Sequence, residues 1–158
     1  MAQNTRTLRC TPADVFRVLA DGWLYPSWVV GASRMRDVDE AWPHAGSRIH
    51  HSVGVWPLLI DDRTRATAWS PPHRMELRAR GWPIGEADVV IDVEPTGERS
   101  CLVRIREDVR RGPARVIPRF LLDPVIRWRN GETLHRLAYL AEGMASSAVP
   151  DTADEERS

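Results

Sequence analysis

The sequence predicts an α+β domain in which an antiparallel sheet of about seven strands is covered by one long C-terminal helix. Polar and apolar residues alternate with a period of two for about eighty residues from Ala32. Pro or Gly residues interrupt this alternation at regular intervals, as turns between strands require. A helical pattern follows from Asp123-Pro124. We expect one domain at residues 1–145 and a disordered, small and charged tail at residues 146–158.

A strand and two short helices are predicted before the alternating region. The strand is placed at residues 4–10. Thr11-Pro12-Ala13-Asp14 supplies an N-cap hydroxyl, an N1 proline and an N3 carboxylate, so a helix is expected to begin at Pro12. Asp21-Gly22 is expected to end it. The apolar segment 23–30 contains Pro26, which restricts it to a short turn of helix.

Six further strands are predicted in the alternating region, at residues 32–39, 47–56, 60–69, 73–81, 86–95 and 100–109. In these strands one face is apolar and the other is charged, so the apolar face requires a cover. A helix of about 22 residues from Pro124 to Ala145 would be about 33 Å long, enough to cross the sheet. Its apolar residues recur at helical spacing: Val125, Trp128, Leu134, Leu137, Ala138, Ala141 and Met144 or Ala145.

Composition excludes several classes of function. The chain has 22 basic and 22 acidic residues and a net charge of +0, so no nucleic-acid partner is expected. Every basic residue is arginine, which excludes a lysine Schiff base or P-loop lysine. Cys10 and Cys101 are far apart and have no metal-ligand spacing, so neither a zinc site nor a disulfide framework is indicated. No metal and no cofactor are expected. With no leader pattern and no long apolar run, we expect a cytoplasmic protein without membrane insertion.

Several local motifs resemble one known family. They are Trp28-Val29-Val30-Gly31, Trp42-Pro43-His44-Ala45-Gly46-Ser47, His50-His51-Ser52-Val53-Gly54, Trp69-Ser70-Pro71-Pro72, Gly81-Trp82-Pro83-Ile84-Gly85, Asn130-Gly131-Glu132-Thr133-Leu134 and Ala141-Glu142-Gly143. Together they resemble the polyketide cyclase/dehydrase-like branch of the START-related (SRPBCC) superfamily, of the actinobacterial type, over roughly residues 3–145.

The resemblance implies a helix-grip fold, in which the sheet curls around the long helix and leaves a cavity between them. It also implies a hydrophobic ligand, aromatic or lipid-like, bound by a carrier or sensor. The alternative is a cyclase or dehydratase acting on a polyketide-type substrate. No catalytic motif of the characterised cyclases can be matched here residue by residue, so the fold resemblance does not choose between these functions.

His51 and Glu107 are the candidate acid/base residues of that alternative. His51 shares the apolar parity of its strand, so it is expected to face the cavity, where an imidazole could bind a carbonyl or move a proton. It could instead be a buried imidazole satisfied by a neighbour or water. Glu107 continues the inward series Cys101, Val103 and Ile105, but it could also lie beyond the core, in solvent.

The same parity predicts the ligand-binding residues. They are His51, Val53, Val55, Met75, Leu77, Val89, Ile91, Val103 and Ile105 on the strands, with Trp128, Leu134 and His135 on the helix. Seven tryptophans are present against two Phe and two Tyr. Trp56, Trp69 and Trp82 lie at strand ends beside proline, where they could form either a pocket rim or part of the core.

Overall fold

The computed structural model describes residues 2–81 and 85–148. In this part of the chain the strands are β1 (Ala2–Leu8), β2 (Ala32–Val38), β3 (Arg48–Val55), β4 (Leu58–Ser70), β5 (Arg74–Gly81), β6 (Gly85–Gly97) and β7 (Ser100–Arg111). The helices are α1 (Pro12–Ala20), α2 (Tyr25–Trp28) and α3 (Arg119–Ser147). Single 3-10 turns at Gly22–Leu24 and Pro113–Val116 precede α2 and α3.

The seven strands form one antiparallel sheet in the order β1-β7-β6-β5-β4-β3-β2. Strands β2 to β7 follow one another as a meander, and β1 pairs with β7 at the far edge. The long helix α3 packs against β1 and β7, and α1 and α2 pack against α3. The curved sheet around a terminal helix confirms the predicted helix-grip fold.

Helix α1 begins where the sequence predicts, because its cap is complete. The Thr11 backbone N–H donates to the Asp14 carboxylate at 2.9 Å, and the Asp14 backbone N–H donates to the Thr11 hydroxyl at 3.3 Å. This reciprocal pair satisfies two N–H groups that a helix start leaves unpaired. The helix buries Val15, Phe16, Val18 and Leu19 against the sheet.

Helix α3 begins five residues earlier than predicted, at Arg119, so Pro124 lies inside the helix rather than at its first position. A proline there removes only the hydrogen bond to the carbonyl of Phe120. Phe120 is exposed, so water can serve that carbonyl. The helix also continues past Ala145 to Ser147, and residues 149–158 of the expected tail lie outside the described residues.

The buried stripe of α3 differs from the predicted stripe in its first half. Ile126, Asn130 and Thr133 face the interior, whereas Val125 and Trp128 are 62% and 71% exposed. The prediction rests on the spacing of apolar residues alone, whereas the polar residues Asn130 and Thr133 occupy the inward positions. From Leu134 to Ala145 the stripe agrees with the prediction, with Leu137 and Ala141 fully buried.

The charged face of the sheet also contains a buried carboxylate. Asp92 on β6 accepts hydrogen bonds from Arg74 on β5 and Arg106 on β7, both at 2.6 Å. Burial opposes ionisation of Asp92, but these arginine hydrogen bonds outweigh it and hold its pKa below the usual range. The three side chains therefore tie β5, β6 and β7 together from outside.

The two cysteines, Cys10 and Cys101, are free thiols, and both are buried in the core.

Across residues 2–81 and 85–148, no helix combines the length and the hydropathy that a membrane span needs.

Candidate ligand cavity

A cavity of about 390 Å³ lies between the sheet and the first half of α3. This volume is within the range of about 300–1,000 Å³ that is usual for small-molecule sites. Side chains from β3 to β7 form its floor, and the α2 region and α3 cover it. Most of its walls are apolar, including Val53, Leu77, Ala79, Ala87, Val89, Ile91, Ile105, Val109, Leu122, Val125 and Ile126. In size and lining the cavity therefore resembles small-molecule sites of other proteins.

One wall of the cavity carries a buried chain of hydrogen bonds. The Thr64 hydroxyl oxygen lies 3.0 Å from the Tyr25 hydroxyl and 3.0 Å from His51 Nε2. All three residues are buried, and the Tyr25 and His51 rings lie 5.2 Å apart between centroids. The Thr64 hydroxyl either donates to His51 Nε2 or accepts from it, so two proton arrangements are possible at His51.

The two arrangements give His51 opposite roles at its other nitrogen. If Tyr25 donates to Thr64 and Thr64 donates to Nε2, then Nδ1 carries the imidazole proton and is a donor. If Nε2 donates to Thr64, then Nδ1 has a free lone pair and is an acceptor. In the first arrangement Thr64 donates its only proton to His51, so the Tyr25 hydroxyl must donate to Thr64. In the second arrangement the Tyr25 hydroxyl can either donate or accept.

Burial keeps both rings of this chain neutral. It lowers the pKa of His51 below the usual 6.5, and the nearby Asp62 carboxylate and Ser52 backbone oppose this shift only in part. Burial also raises the pKa of Tyr25 to about 12, although the hydrogen bond with Thr64 works in the other direction. At neutral pH the cavity wall therefore presents a neutral imidazole and a neutral phenol.

Three buried nitrogens on cavity-lining side chains have no hydrogen-bond partner among the described residues. They are His51 Nδ1, Trp28 Nε1 and Asn130 Nδ2. The indole and amide nitrogens can only donate, and a buried donor without an acceptor costs about 1–3 kcal/mol. The described protein groups therefore leave these three cavity nitrogens without hydrogen-bond partners.

A charged pair lines the cavity where β7 meets α3. The guanidinium nitrogen Nη2 of Arg129 donates to both carboxylate oxygens of Glu107. Glu107 is 5% exposed, so the sequence alternative in which it is solvated is wrong. With both oxygens already accepting from Arg129, Glu107 serves first as an attachment between the last strand and the long helix.

The structure brings most of the predicted strand residues to the cavity but not all of them. His51, Val53, Leu77, Val89, Ile91, Ile105 and Glu107 line it, as does Trp128 at its edge. Met75, Val103 and Leu134 are instead fully buried in the core, and His135 is exposed on α3. The Val55 side chain lies outside what the structure describes, as does Trp82.

The alternation of side chains along a strand explains why only some of the predicted residues line the cavity. Alternation along a strand determines which face a side chain occupies, but not its position along the strand. Met75 and Val103 are on the predicted face at the end of the sheet where α1 packs beside α3. Trp69 also belongs to that end, since its ring packs 5.1 Å from Phe16, whereas Trp56 is exposed.

The sequence interpretation missed the residues that complete the polar wall: Tyr25, Trp28, Thr64, Arg129, Asn130 and Thr133. A signal was present for Thr64, which shares the inward parity of Ala66 on β4. For Arg129 the only signal was that an inward Glu107 needs a cationic partner. Tyr25 and Trp28 lie on a helix too short for any periodicity to show its buried side.

Comparison with known proteins places the chain in a family. A family model described as polyketide cyclase / dehydrase and lipid transport matches residues 2–142. The chain belongs to this family. It shares the START (SRPBCC) superfamily fold, as the resemblance predicted. No curated protein matches it in sequence.

Solved structures similar to this family member share its fold at low sequence identity. A START superfamily protein from Mycobacterium smegmatis has 16% identity and a TM-score of 0.63, with 94% of this chain and 98% of that one covered. A conserved protein from Geobacillus kaustophilus has 15% identity and a TM-score of 0.68, with coverages of 89% and 94%. The di-domain ARO/CYC BexL from the BE-7585A biosynthetic pathway has 17% identity and a TM-score of 0.70, with coverages of 89% and 46%. This chain therefore spans about half of that di-domain protein.

Proposed function

We propose that the protein is a carrier or sensor that binds a hydrophobic small molecule in the cavity, and that this ligand bears at least two acceptor oxygens. The three unpartnered nitrogens carry this proposal. Trp28 Nε1 and Asn130 Nδ2 are donors that need acceptors, and the surrounding wall is apolar. An aromatic or lipid-like body with carbonyl, hydroxyl or carboxylate oxygens satisfies both requirements.

The size of the cavity supports an occupant. Its volume of about 390 Å³ is within the range of small-molecule sites. Because the cavity reaches the surface beside Val125 and Trp128, water can enter it when no ligand is bound. An apolar ligand gains free energy by displacing that water from the apolar walls.

Native mass spectrometry of the purified protein tests the proposal directly, since a carried ligand is expected to appear as a discrete added mass. Titration with the fluorescent apolar probe anilinonaphthalene sulfonate then measures access to the cavity. Val89→Trp, which fills the cavity, is expected to abolish probe binding. Val90→Trp on the other face of β6 is the matched control and should leave it unchanged. Equal binding by both variants would overturn the proposal.

A second function, proton transfer catalysis of the cyclase or dehydratase type, is favoured by one observation. His51 Nδ1 is buried, unpartnered and kept neutral, so in one tautomer it offers a lone pair to a substrate. The family description includes polyketide cyclases and dehydrases. In this function His51 is the general base, and Glu107 holds Arg129 rather than moving a proton.

Turnover and affinity separate the two functions. With a polyketone substrate, a catalytic His51 predicts that His51→Gln lowers turnover about a hundredfold with little change in affinity. Thr64→Val should lower turnover less, because it only removes control of the tautomer. In a carrier, the same substitutions change affinity and no product forms. Glu107→Gln provides the comparison for the other candidate residue.

A further inference from the structure

Large exposed apolar side chains gather at one end of the molecule. Among the described residues, all but Trp23 and Tyr139 lie on the β3–β4 turn or on the segment from Val116 into the first turns of α3. Because neighbouring strands are antiparallel, the β3–β4 turn, the start of β6 and the end of β7 lie at the same end of the sheet. We call the following set the apolar rim: Trp56, Leu58, Val116, Phe120, Val125 and Trp128.

Two residues of the apolar rim also belong to the cavity, which opens at the same end of the sheet. Val125 and Trp128 belong to the rim and also line the cavity, although both are largely exposed. The cavity therefore reaches the surface between α3 and the sheet at this end. Trp56 is 81% exposed and Phe120 is 76% exposed, and water-exposed aromatic side chains in such a cluster mark a binding surface.

The same region contains exposed arginines in a chain whose net charge is +0. Residues 110–129 contain six arginines and one aspartate. Three of these arginines, Arg110, Arg119 and Arg129, pair with Asp88, Asp108 and Glu107, which lie outside this segment. Arg115 and Arg127 are exposed, and their guanidinium groups make no ion pair within the described ranges 2–81 and 85–148. This end of the molecule therefore carries exposed arginines beside exposed aromatic residues, although the chain as a whole has no net charge.

We propose that the apolar rim docks on an anionic lipid surface, with the cavity opening facing the membrane. Tryptophan, phenylalanine and leucine at the headgroup boundary, flanked by arginines, are the composition of an interfacial membrane anchor. Arg115 and Arg127 complement acidic headgroups, and the apolar side chains enter the acyl boundary. The helix lies on the membrane and does not cross it. This docking needs no assumption about which ligand the cavity holds.

Vesicle co-sedimentation of the full chain tests the docking. Vesicles of phosphatidylcholine with phosphatidylglycerol are expected to bind the protein, and vesicles of phosphatidylcholine alone to bind it much more weakly. Trp56→Ser and Phe120→Ser should each weaken binding about tenfold, because each removes a large apolar anchor. Arg115→Glu should weaken binding to the anionic vesicles about tenfold or more, and added salt should do the same.

Matched controls lie at the other end of the sheet. Trp23→Ser removes an exposed tryptophan beside Trp42, and Arg99→Glu reverses an exposed charge in the β6–β7 turn. Both are expected to bind vesicles as the unmodified protein does. All five substituted side chains are exposed, so an unchanged circular dichroism spectrum and melting temperature are expected for each variant.

Three outcomes would overturn the proposal. One is absence of binding to anionic vesicles. Another is an equal loss of binding in the rim and control variants. The third is a dimer, measured by analytical ultracentrifugation, that Trp56→Ser and Phe120→Ser dissociate while vesicles do not bind. In that case the apolar rim joins two copies of the chain.

Discussion

The two halves of helix α3 lie over the same sheet, but the second half packs in the core and the first half covers the cavity. From Leu134 to Ala145 the inward side chains are apolar and fully packed, together with α1 and the core strands. From Arg119 to Thr133 the inward side chains include the polar residues Asn130 and Thr133. A cavity separates this half of the helix from the sheet. One helix therefore provides the stabilising apolar packing at one end and carries polar, incompletely paired groups at the other.

The largest expected effect is loss of packing in the second half of α3. Leu137→Ala, at a fully buried position, should lower the free energy of unfolding by about 3 kcal/mol, because it removes apolar contacts and leaves a void. Val125→Ala in the first half should change it by about 0.5 kcal/mol or less, since that side chain is mostly exposed. Urea denaturation measures both. Similar losses in the two variants would mean that the halves do not differ.

The next effect concerns the attachment of the first half to β7. Arg129→Gln should lower the free energy of unfolding by about 2 kcal/mol, because Glu107 is left buried without its cation. This loss is smaller than that expected for a fully buried pair, because Arg129 is 40% exposed and water screens its charge.

Adding Glu107→Gln to the same chain should restore part of that loss, because no unpaired charge then remains. Urea denaturation of the single and double variants gives the coupling between the two positions. A double variant that is less stable than Arg129→Gln alone would contradict the pairing as the source of the effect.

The smallest effect is a pH dependence confined to the cavity half. Burial lowers the pKa of His51 in the folded protein. As the pH falls through about 6.5, His51 is therefore protonated in the unfolded chain but stays neutral in the folded protein. Stability should therefore be insensitive to His51 above that pH and should fall as the pH drops below it. The slope for one proton is at most about 1.4 kcal/mol per pH unit, ending below the folded-state pKa.

Urea denaturation from about pH 8 to about pH 5 measures that slope. His51→Gln is expected to remove this component of it. His135→Gln, on the exposed face of α3, is the matched control and should keep the profile of the unmodified protein. An unchanged profile in His51→Gln would show that another group is responsible.

The sequence predicted the strands and α1 because their signals are local. Alternation places a residue on one face of a strand, and Thr11 with Asp14 determines the start of α1 through hydrogen bonds three residues apart. The start of α3 was predicted less well. Asp123-Pro124 has the pattern of a helix start, but the chain is already helical from Arg119. A local pattern therefore does not exclude an earlier start.

Within the site, the sequence by itself determined the inward parity of His51, Glu107 and the apolar wall. It did not separate Leu77, which lines the cavity, from Met75, which belongs to the core, because the two have the same parity two residues apart. Which of them meets a cavity depends on whether α1 and the second half of α3 cover that part of the sheet. Coverage is a long-range property, so no local pattern contains it.

Only the tertiary structure joined Tyr25, His51 and Thr64, and only it placed Arg129 on Glu107. These partners come from different helices and strands, and each is satisfied or left unpaired by a neighbour distant in the chain. Net charge behaves in the same way. The sequence determines a total of +0, but folding decides which arginines find carboxylates and which remain exposed beside the apolar rim. Hydrogen bonding and ion pairing act over a few ångströms in space, whatever the separation along the chain.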